Sequence, residues 1–417
     1  MNSYGVVLPV YTAVRFGPDD DMPARRIPAP AAARPRVAIV GANFAGLRAA
    51  QGLDAAEFEV TVFDPSANFE WLPNIHELVS GTKRPADLRL SRRRLVKRAG
   101  HRFVREAVDA IEPKRGRLKT ARGHLHEFDF CIVAIGGRNE THGVPGAERH
   151  ALPFKSVDQC EAIRRRLAAL ARSRAPRSIV IVGGGFVGVE ALGEILRRYR
   201  ARRNLNVHLV EAGPRLMAST AATIDAAVRR HCARLNVSIH AGRPVVRVTA
   251  AAVHLRDGPR LRSDLTIWTG GVAPPPLLAA TRLAPRAGQW APVDATLRSL
   301  RHPKVFVIGD AAGLPKPLPK QAFHALEMGE WAARNVARAA AGRAPRAYKP
   351  SRKPLLVSFG DLDTFLVAGR AVVANPAFAA GKEAVYQLTM AQIDPPTTAQ
   401  ALRPLAARAA GVARRLR

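Results

Sequence analysis

Twice in this chain an apolar run breaks into a glycine turn, continues as a helix and closes, about twenty residues on, in a second apolar run ending in a carboxylate. The first unit runs from Arg36-Val-Ala-Ile-Val40 through Gly41-Ala-Asn-Phe-Ala-Gly46 to Val60-Thr-Val-Phe-Asp64. The second runs from Ser178-Ile-Val-Ile-Val182 through Gly183-Gly-Gly-Phe-Val-Gly188 to Val207-His-Leu-Val-Glu211. Apolar residues without alternation read as strands buried on both faces. The helix after each turn points its free N–H groups back over the turn, which makes each unit a phosphate cradle. Asp64 and Glu211 then stand where a carboxylate accepts from the ribose hydroxyls of an adenosine. The pattern calls for glycine at the middle position of the turn, so that backbone can approach a pyrophosphate. The second unit has Gly185 there and the first has Asn43, which tolerates positive φ and whose amide can donate to phosphate.

A third signal completes the set. Lys304-Val-Phe-Val-Ile-Gly-Asp310 is an apolar strand running into Gly309-Asp310, and after two nucleotide units it places a carboxylate beside the ribityl and pyrophosphate part of a flavin in the first cleft. Two further strands, Phe130-Cys-Ile-Val-Ala-Ile-Gly-Gly137 and Leu265-Thr-Ile-Trp-Thr-Gly-Gly271, return to the two sheets and end in glycines, Gly136 and Gly271 among them. The predicted fold is α/β, with two Rossmann-like dinucleotide-binding domains and a small C-terminal α+β domain. The candidate ligands of the first cleft are Gly41, Asn43, Phe44, Ala45, Gly46, Asp64, Gly136, Gly309 and Asp310; those of the second are Gly183, Gly185, Gly188, Glu211 and Gly271. Residues 35–154 and 271–345 are expected to form the FAD domain, with the NAD(P) domain, 155–270, inserted into it. Residues 346–417 form the C-terminal domain, and 1–34 are a disordered or mis-assigned extension, with Met22 an alternative start.

Between these landmarks, Trp71 and His76 lie in an aromatic and polar stretch, either as flavin or substrate contacts or as parts of a surface loop. Leu88 to Arg98 reads as a solvated basic helix, and Phe103 to Phe130 as a small antiparallel sheet beginning with Arg102-Phe-Val. Leu152 to Arg172 reads as a helix, Ile239 to Asp264 as short β structure, Lys320 to Ala339 as a helix, and Leu355 to Ile393 as strands with a helix. In the tail, Leu402, Leu405, Ala409, Val412 and Leu416 gather on one face of a helix and Arg403, Arg408, Arg414, Arg415 and Arg417 on the other. A cationic amphipathic helix this short needs a protein groove or a lipid surface to bury its apolar face.

Composition narrows the function. The net charge of +32 is compatible with compositional drift, with anionic lipid or with nucleic acid. Dispersed basic residues without aromatic interleaving argue against the last. No apolar run reaches the ~20 residues of a membrane span, so any membrane contact is peripheral. The residues before Arg34 lack the basic-then-apolar order of a secretion signal. Cys131, Cys160 and Cys232 form neither a Cys-x-x-Cys pair nor a metal-ligand set, so no metal is expected and the compartment is a reducing, cytoplasmic one.

Taken together, Gly41 to Gly46 with Asp64, the paired return strands, Gly183 to Gly188 with Glu211, and Ile308-Gly-Asp-Ala-Ala312 resemble the two-dinucleotide-binding flavoproteins over roughly 36 to 345. The redox cysteine pair of the disulfide reductases has no counterpart near residues 47 to 80, and no cysteine follows Cys232 to serve a sulfide:quinone oxidoreductase. What remains resembles type II NADH dehydrogenases and apoptosis-inducing-factor-like quinone reductases, although the doubled glutamines common in the former are not in register after Leu318-Pro-Lys-Gln321. That resemblance implies FAD and NAD(P)H as cofactors, hydride transfer at the flavin, a quinone at the cytoplasmic face of the membrane as acceptor, and a possible homodimer. It also places Glu190 near nicotinamide and flavin, where the plain alternative is a first-turn carboxylate favoured by the helix dipole. Lys320 and Gln321 would stabilise charge on the reduced ring, or simply start a helix. Glu211 favours NADH, with Arg215 leaving NADPH open. The rival functions are a soluble reductase of an acidic iron-sulfur protein such as ferredoxin, and a nucleotide-binding regulatory protein without turnover.

Overall fold

The computed structural model describes residues 33–395 apart from residue 370. The expected extension and the amphipathic tail 402–417 therefore lie outside the described residues. From Pro35 onward the chain gathers into one unit built on two parallel sheets.

In the first sheet the strand Arg36–Val40 lies between Glu59–Phe63 and Phe130–Val133, with Arg102–Val104 and Val305–Val307 at the two edges. Val37, Ile39, Val62, Ile132 and Val305 are fully buried, as strands covered by helices on both faces require. The second sheet repeats this order. Arg177–Val182 lies between Leu205–Val210 and Leu265–Trp268, with Val237–His240 and Ala151–Pro153 outside them. All pairings in both sheets are parallel, so each step needs a crossover, and the helices Phe44–Gln51 and Phe186–Tyr199 are the crossovers that follow the glycine turns. The chain passes between the two sheets on a short antiparallel ribbon, Arg138–Asn139 against Val272–Ala273.

Several elements differ from expectation. Arg102–Val104 is an edge of the parallel sheet, and the small antiparallel sheet is Val108–Glu112, Arg117–Thr120 and Leu125–Glu127. Three alternating residues cannot distinguish a parallel edge from a hairpin arm. Ala151–Pro153 is a strand, so the second sheet starts ahead of residue 155; the helix begins at Val157, capped by Ser156, whose Oγ accepts from the Gln159 N–H. The basic stretch opens with a strand, Arg89–Ser91, and its helix, Arg92–Arg98, buries Arg92. The later long helix begins at Ala322 and ends at Ala340.

At the C-terminal end, three antiparallel strands, Leu355–Phe359, Asp363–Ala368 and Ala371–Ala374, precede a helix, Phe378–Ile393. The sheet packs on the second crossover helix at Gly193, where a Cβ would stand 2.4 Å from the Gly360 nitrogen. The far end of helix Phe378–Ile393 is held by the first domain. Gln51 Nε2 donates to the Ile393 carbonyl at 2.9 Å, and Arg94 and Arg98 both reach Asp394. A single helix thereby bridges both nucleotide units.

Candidate functional site

The first cleft is shaped by what no side chain could occupy. Gly41 has φ of +95°, and a Cβ there would lie 2.4 Å from the Ala134 carbonyl oxygen. A Cβ at Gly46 would lie 1.8 Å from the Gly41 oxygen, so strand and helix touch through backbone alone. Phe44 is buried at the helix start, edge-on to Phe69 and Trp71, and Ala45 lies beneath Gly309, whose φ is +65°. The Asn43 side chain is paired both ways with the Glu70 backbone, accepting from its N–H at 3.1 Å and donating to its carbonyl at 3.3 Å. That pairing occupies the amide expected to reach phosphate. Asp64 accepts from the Ala42 N–H at 2.9 Å and from Arg92 Nη1 at 2.5 Å. Arg92 also donates to the carbonyls of Ala42 and Ser66, so it ties the Asp64 carboxylate to the turn. Nothing in the run Arg92-Arg-Arg94 marks which arginine turns inward.

The second cleft follows the same plan. Gly183 has φ of +107°, a Cβ at Gly188 would lie 1.8 Å from the Gly183 oxygen, and a Cβ at Gly185 would meet no heavy atom within 4 Å. Gly136 is equally open, and Gly271 has φ of +126°. Glu211 accepts from the N–H groups of Gly184 and Gly213, both at 2.6 Å. Arg215 is fully committed: its guanidinium donates to the carbonyls of Leu216, Met217, Ala218 and Thr220. The open backbone at Gly185 and Gly136 and the two carboxylate-braced turns fit the ribose and pyrophosphate of one dinucleotide in each cleft.

Glu190 is the hub of a buried polar cluster. One carboxylate oxygen takes the Lys382 ammonium at 2.5 Å and the Ser358 N–H at 3.3 Å; the other faces His76 Nδ1 at 3.6 Å. Burial raises its pKa, opposed by Lys382, and burial beside Lys382, Arg197 and Lys83 keeps His76 neutral. His76 and Trp71 are thus interior residues, with Trp71 Nε1 donating to Asn74. Lys382 stands 192 residues from Glu190 in the chain, and no local pattern announces it.

One turn further on, Glu194 is wholly buried, accepts from Ser80 Oγ and lies 3.2 Å from Arg197 Nε; burial pushes its carboxyl up to about 7. A carboxyl raised from 4.5 contributes stability that is fully present below 4.5 and is lost as pH rises through 7, a change of about 3 kcal/mol at most. Glu194→Gln is therefore expected to unfold at higher denaturant than the parent at pH 8 and to lose this advantage at pH 4.5, as urea titrations at both pH values would read.

Lys320 and Gln321 lie before the long helix rather than in it, which corrects their expected placement. Lys320 Nζ donates to the carbonyls of Asp310 (2.7 Å) and Ala312 (3.0 Å) and rests over the Trp290 ring, so it staples the Gly-Asp turn. Gln321 occupies the N-cap without a side-chain capping bond. Lys155 was not anticipated. Burial lowers its pKa and Asp310 raises it. All three cysteines are buried, and burial raises their pKa values, Cys232 to about 12, so none offers a thiolate. Among the described residues no group of three or more His, Cys, Asp or Glu could hold a metal.

The family of pyridine nucleotide-disulphide oxidoreductases matches residues 35–329. A curated relative, the type II NADH:quinone oxidoreductase of Staphylococcus aureus (strain NCTC 8325 / PS 47), is 25% identical over 383 residues, covering 85% of this chain and 93% of its own length. Among solved structures, NDH2 from Plasmodium falciparum in complex with NADH superposes with a TM-score of 0.76 at 15% identity, over 86% of this chain and 94% of that one. The sulfide:quinone oxidoreductase from Aquifex aeolicus gives 0.76 at 17%, over 86% and 91%. At these identities the structural likenesses speak to the fold.

Proposed function

The chain belongs to the pyridine nucleotide-disulphide oxidoreductase family, and from that membership we propose that it is an FAD-dependent NADH dehydrogenase that passes electrons to a quinone. The observation that carries this reading is a pair of glycine cradles, one in each parallel sheet, with the carboxyl of Glu190 buried on the helix that follows the second and no ionisable sulfur available. FAD, when bound, supplies two-electron chemistry that no side chain of this protein can. The protein's part is to align and to move protons. With the cofactors bound, the helix starts at Phe44 and Phe186 would offer free N–H groups to their pyrophosphates, and Asp64, braced by Arg92, and Glu211 would accept from ribose hydroxyls. Glu211 opposes a 2′-phosphate, and Arg215 is held by four carbonyls, so NADH is the preferred donor. Lys155 and the staple of Lys320 on the Asp310 turn serve the first cleft, and Glu190 acts as the proton donor to the acceptor. The quinone comes from the kinship with the NADH:quinone oxidoreductase of Staphylococcus aureus. We divide the molecule at the ribbon of 138–139 and 272–273: the chain before it and residues 274–345 serve FAD, and the chain between its two strands serves NADH, which moves the expected boundary at 155 ahead of the edge strand that begins at Ala151.

Protein purified with its flavin is expected to bleach with NADH, at least ten-fold more readily than with NADPH, and to recolour rapidly with a soluble quinone. No bleaching would leave a regulatory nucleotide-binding protein, and recolouring by ferredoxin but not quinone would leave the iron-sulfur reductase.

No helix of the described residues is long and apolar enough to cross a membrane, and the membrane contact rests on a surface feature. The outer face of Phe378–Ile393, with Ala380, Ala384, Leu388 and Ala391, is exposed and uncharged, and leads toward the cationic tail. Removing residues 402–417 is expected to release the protein from anionic vesicles in a sedimentation assay; unchanged binding would refute the anchor.

A further inference from the structure

Reduction of a quinone by NADH consumes one proton from water. The nicotinamide gives up a hydride, two electrons and one proton, whereas the quinol takes two electrons and two protons. The cluster around Glu190 contains a path for the second proton that the donor and acceptor sites leave unassigned. Glu383 is 44% exposed at its side chain and lies 2.7 Å from Lys83 Nζ, which is itself only 10% exposed. Lys83 Nζ stands 3.6 Å from Glu77 Oε2. Glu77 Oε1 is held by Asn74 Nδ2 at 2.8 Å and faces His76 Nε2 at 3.9 Å. The other imidazole nitrogen, Nδ1, faces Glu190 Oε2 at 3.6 Å. We propose that Glu383, Lys83, Glu77 and His76 form a proton ladder that draws a proton from solvent and delivers it to Glu190 each time the flavin is reoxidised by quinone.

The chemistry of each rung suits the task. Lys83, whose pKa burial lowers but Glu383 and Glu77 raise above the ordinary value, gives a proton to the Glu77 carboxylate as it takes one from water beside Glu383, so that no neutral amine is left behind. Glu77 hands its proton to Nε2 of His76 as Nδ1 releases another to Glu190, so the proton goes in at one ring nitrogen and out at the other; once Glu190 has passed its proton on, the ring regains its starting tautomer without turning, because Lys382 takes the Nε2 proton as it gives one to Glu190 and Glu190 returns one to Nδ1. A neutral imidazole is the one side chain that can both accept and donate in this way. The rung separations of 3.6 to 3.9 Å close by small side-chain motions, as catalytic hydrogen bonds in unliganded sites often require. Every other charged group around His76 holds this arrangement. Lys382, from the C-terminal helix, sits 3.2 Å from Nε2 and with Lys83 and Arg197 keeps the ring neutral, while Ser358 Oγ fixes its orientation at 2.9 Å. Glu194 is turned away onto Ser80 and Arg197. Lys83 is further steadied over the Tyr386 ring, 4.0 Å from its centroid.

This inference rests on the quinone reading, and the experiment separates the two. Full-length protein carrying FAD is followed by stopped flow, first as NADH bleaches the flavin and then as a soluble quinone restores it. Lys83→Met is expected to leave bleaching and turnover with ferricyanide, which takes electrons without protons, within two-fold of the parent. It should slow reoxidation by quinone at least ten-fold at pH 8 and enlarge the solvent isotope effect of that step. Lys83→Arg should recover less than half of the lost rate, because guanidinium binds Glu77 but does not release a proton. If Lys83→Met loses flavin, Glu383→Gln at the surface gives the same reading, with a several-fold slowing of reoxidation alone. Parental quinone rates and isotope effects in both Lys83→Met and Glu383→Gln would overturn the ladder. A parent protein that quinone cannot reoxidise overturns the quinone reading, and the ladder with it.

Discussion

Gly46→Ala is expected to yield colourless protein, with bound flavin below a tenth of the parental amount and no recovery on adding FAD. The new Cβ would stand 1.8 Å from the Gly41 oxygen and 3.2 Å from the Ala134 Cβ, and no side chain can move aside to relieve a clash with backbone. Helix Phe44–Gln51 must then separate from the strand that aims it, at several kcal/mol, the upper end of what overpacking a core imposes. The matching change in the second cleft, Gly188→Ala, carries the same 1.8 Å conflict with Gly183 but should act differently. Its product is expected to remain yellow and to lose bleaching by NADH at least a hundred-fold. Flavin absorbance after gel filtration, followed by anaerobic NADH titration, reads both. If Gly188→Ala lost flavin as completely as Gly46→Ala, the assignment of one nucleotide to each cleft would fail.

The second large effect belongs to Glu190 and its partner. Glu190→Gln keeps the shape but removes the transferable proton, and steady-state turnover with a soluble quinone is expected to fall about 100-fold, the usual scale for a lost general acid. Flavin content should be unchanged. Lys382→Met tests the electrostatics. Burial raises the Glu190 pKa and Lys382 lowers it, so removing the ammonium leaves burial and the Glu77 charge opposed only by the Ser358 N–H. The carboxyl then stays protonated to higher pH, and the alkaline limb of the kcat profile should move upward in pH. A downward shift would mean that Lys382, and not Glu190, is the group whose protonation turnover needs.

Much of this molecule could be read from short stretches. The two strand-turn-helix-strand units, the Gly-Asp turn and the return strands all appear where their residues put them, because each is a local rule: buried parallel strands are uniformly apolar, and glycine is required where backbone meets backbone. Trp71 and His76 were legible only as unusual residues. That they are interior, with His76 beside Glu190, depends on a C-terminal helix whose contribution arrives 306 residues later in the chain, through Lys382. The edge strands Arg102–Val104 and Ala151–Pro153 were missed for a related reason: three residues are too few to show a period, and pairing with a distant neighbour decides their state. Asn43 and Lys320 kept their places near the first cleft but spend their polar atoms on Glu70, Asp310 and Ala312.

By itself, then, the sequence determined that there are two strand-turn-helix units built on glycine turns and that Asp64 and Glu211 follow their second strands, since these arise from backbone sterics and residue identity over spans of a few dozen residues. Only the tertiary structure decided which charges meet. Arg92 on Asp64, Lys382 on Glu190, and Lys83 on Glu383 are pairings across 28, 192 and 300 residues of chain. A buried charge is stable only where folding brings a partner to it, and no local pattern names that partner.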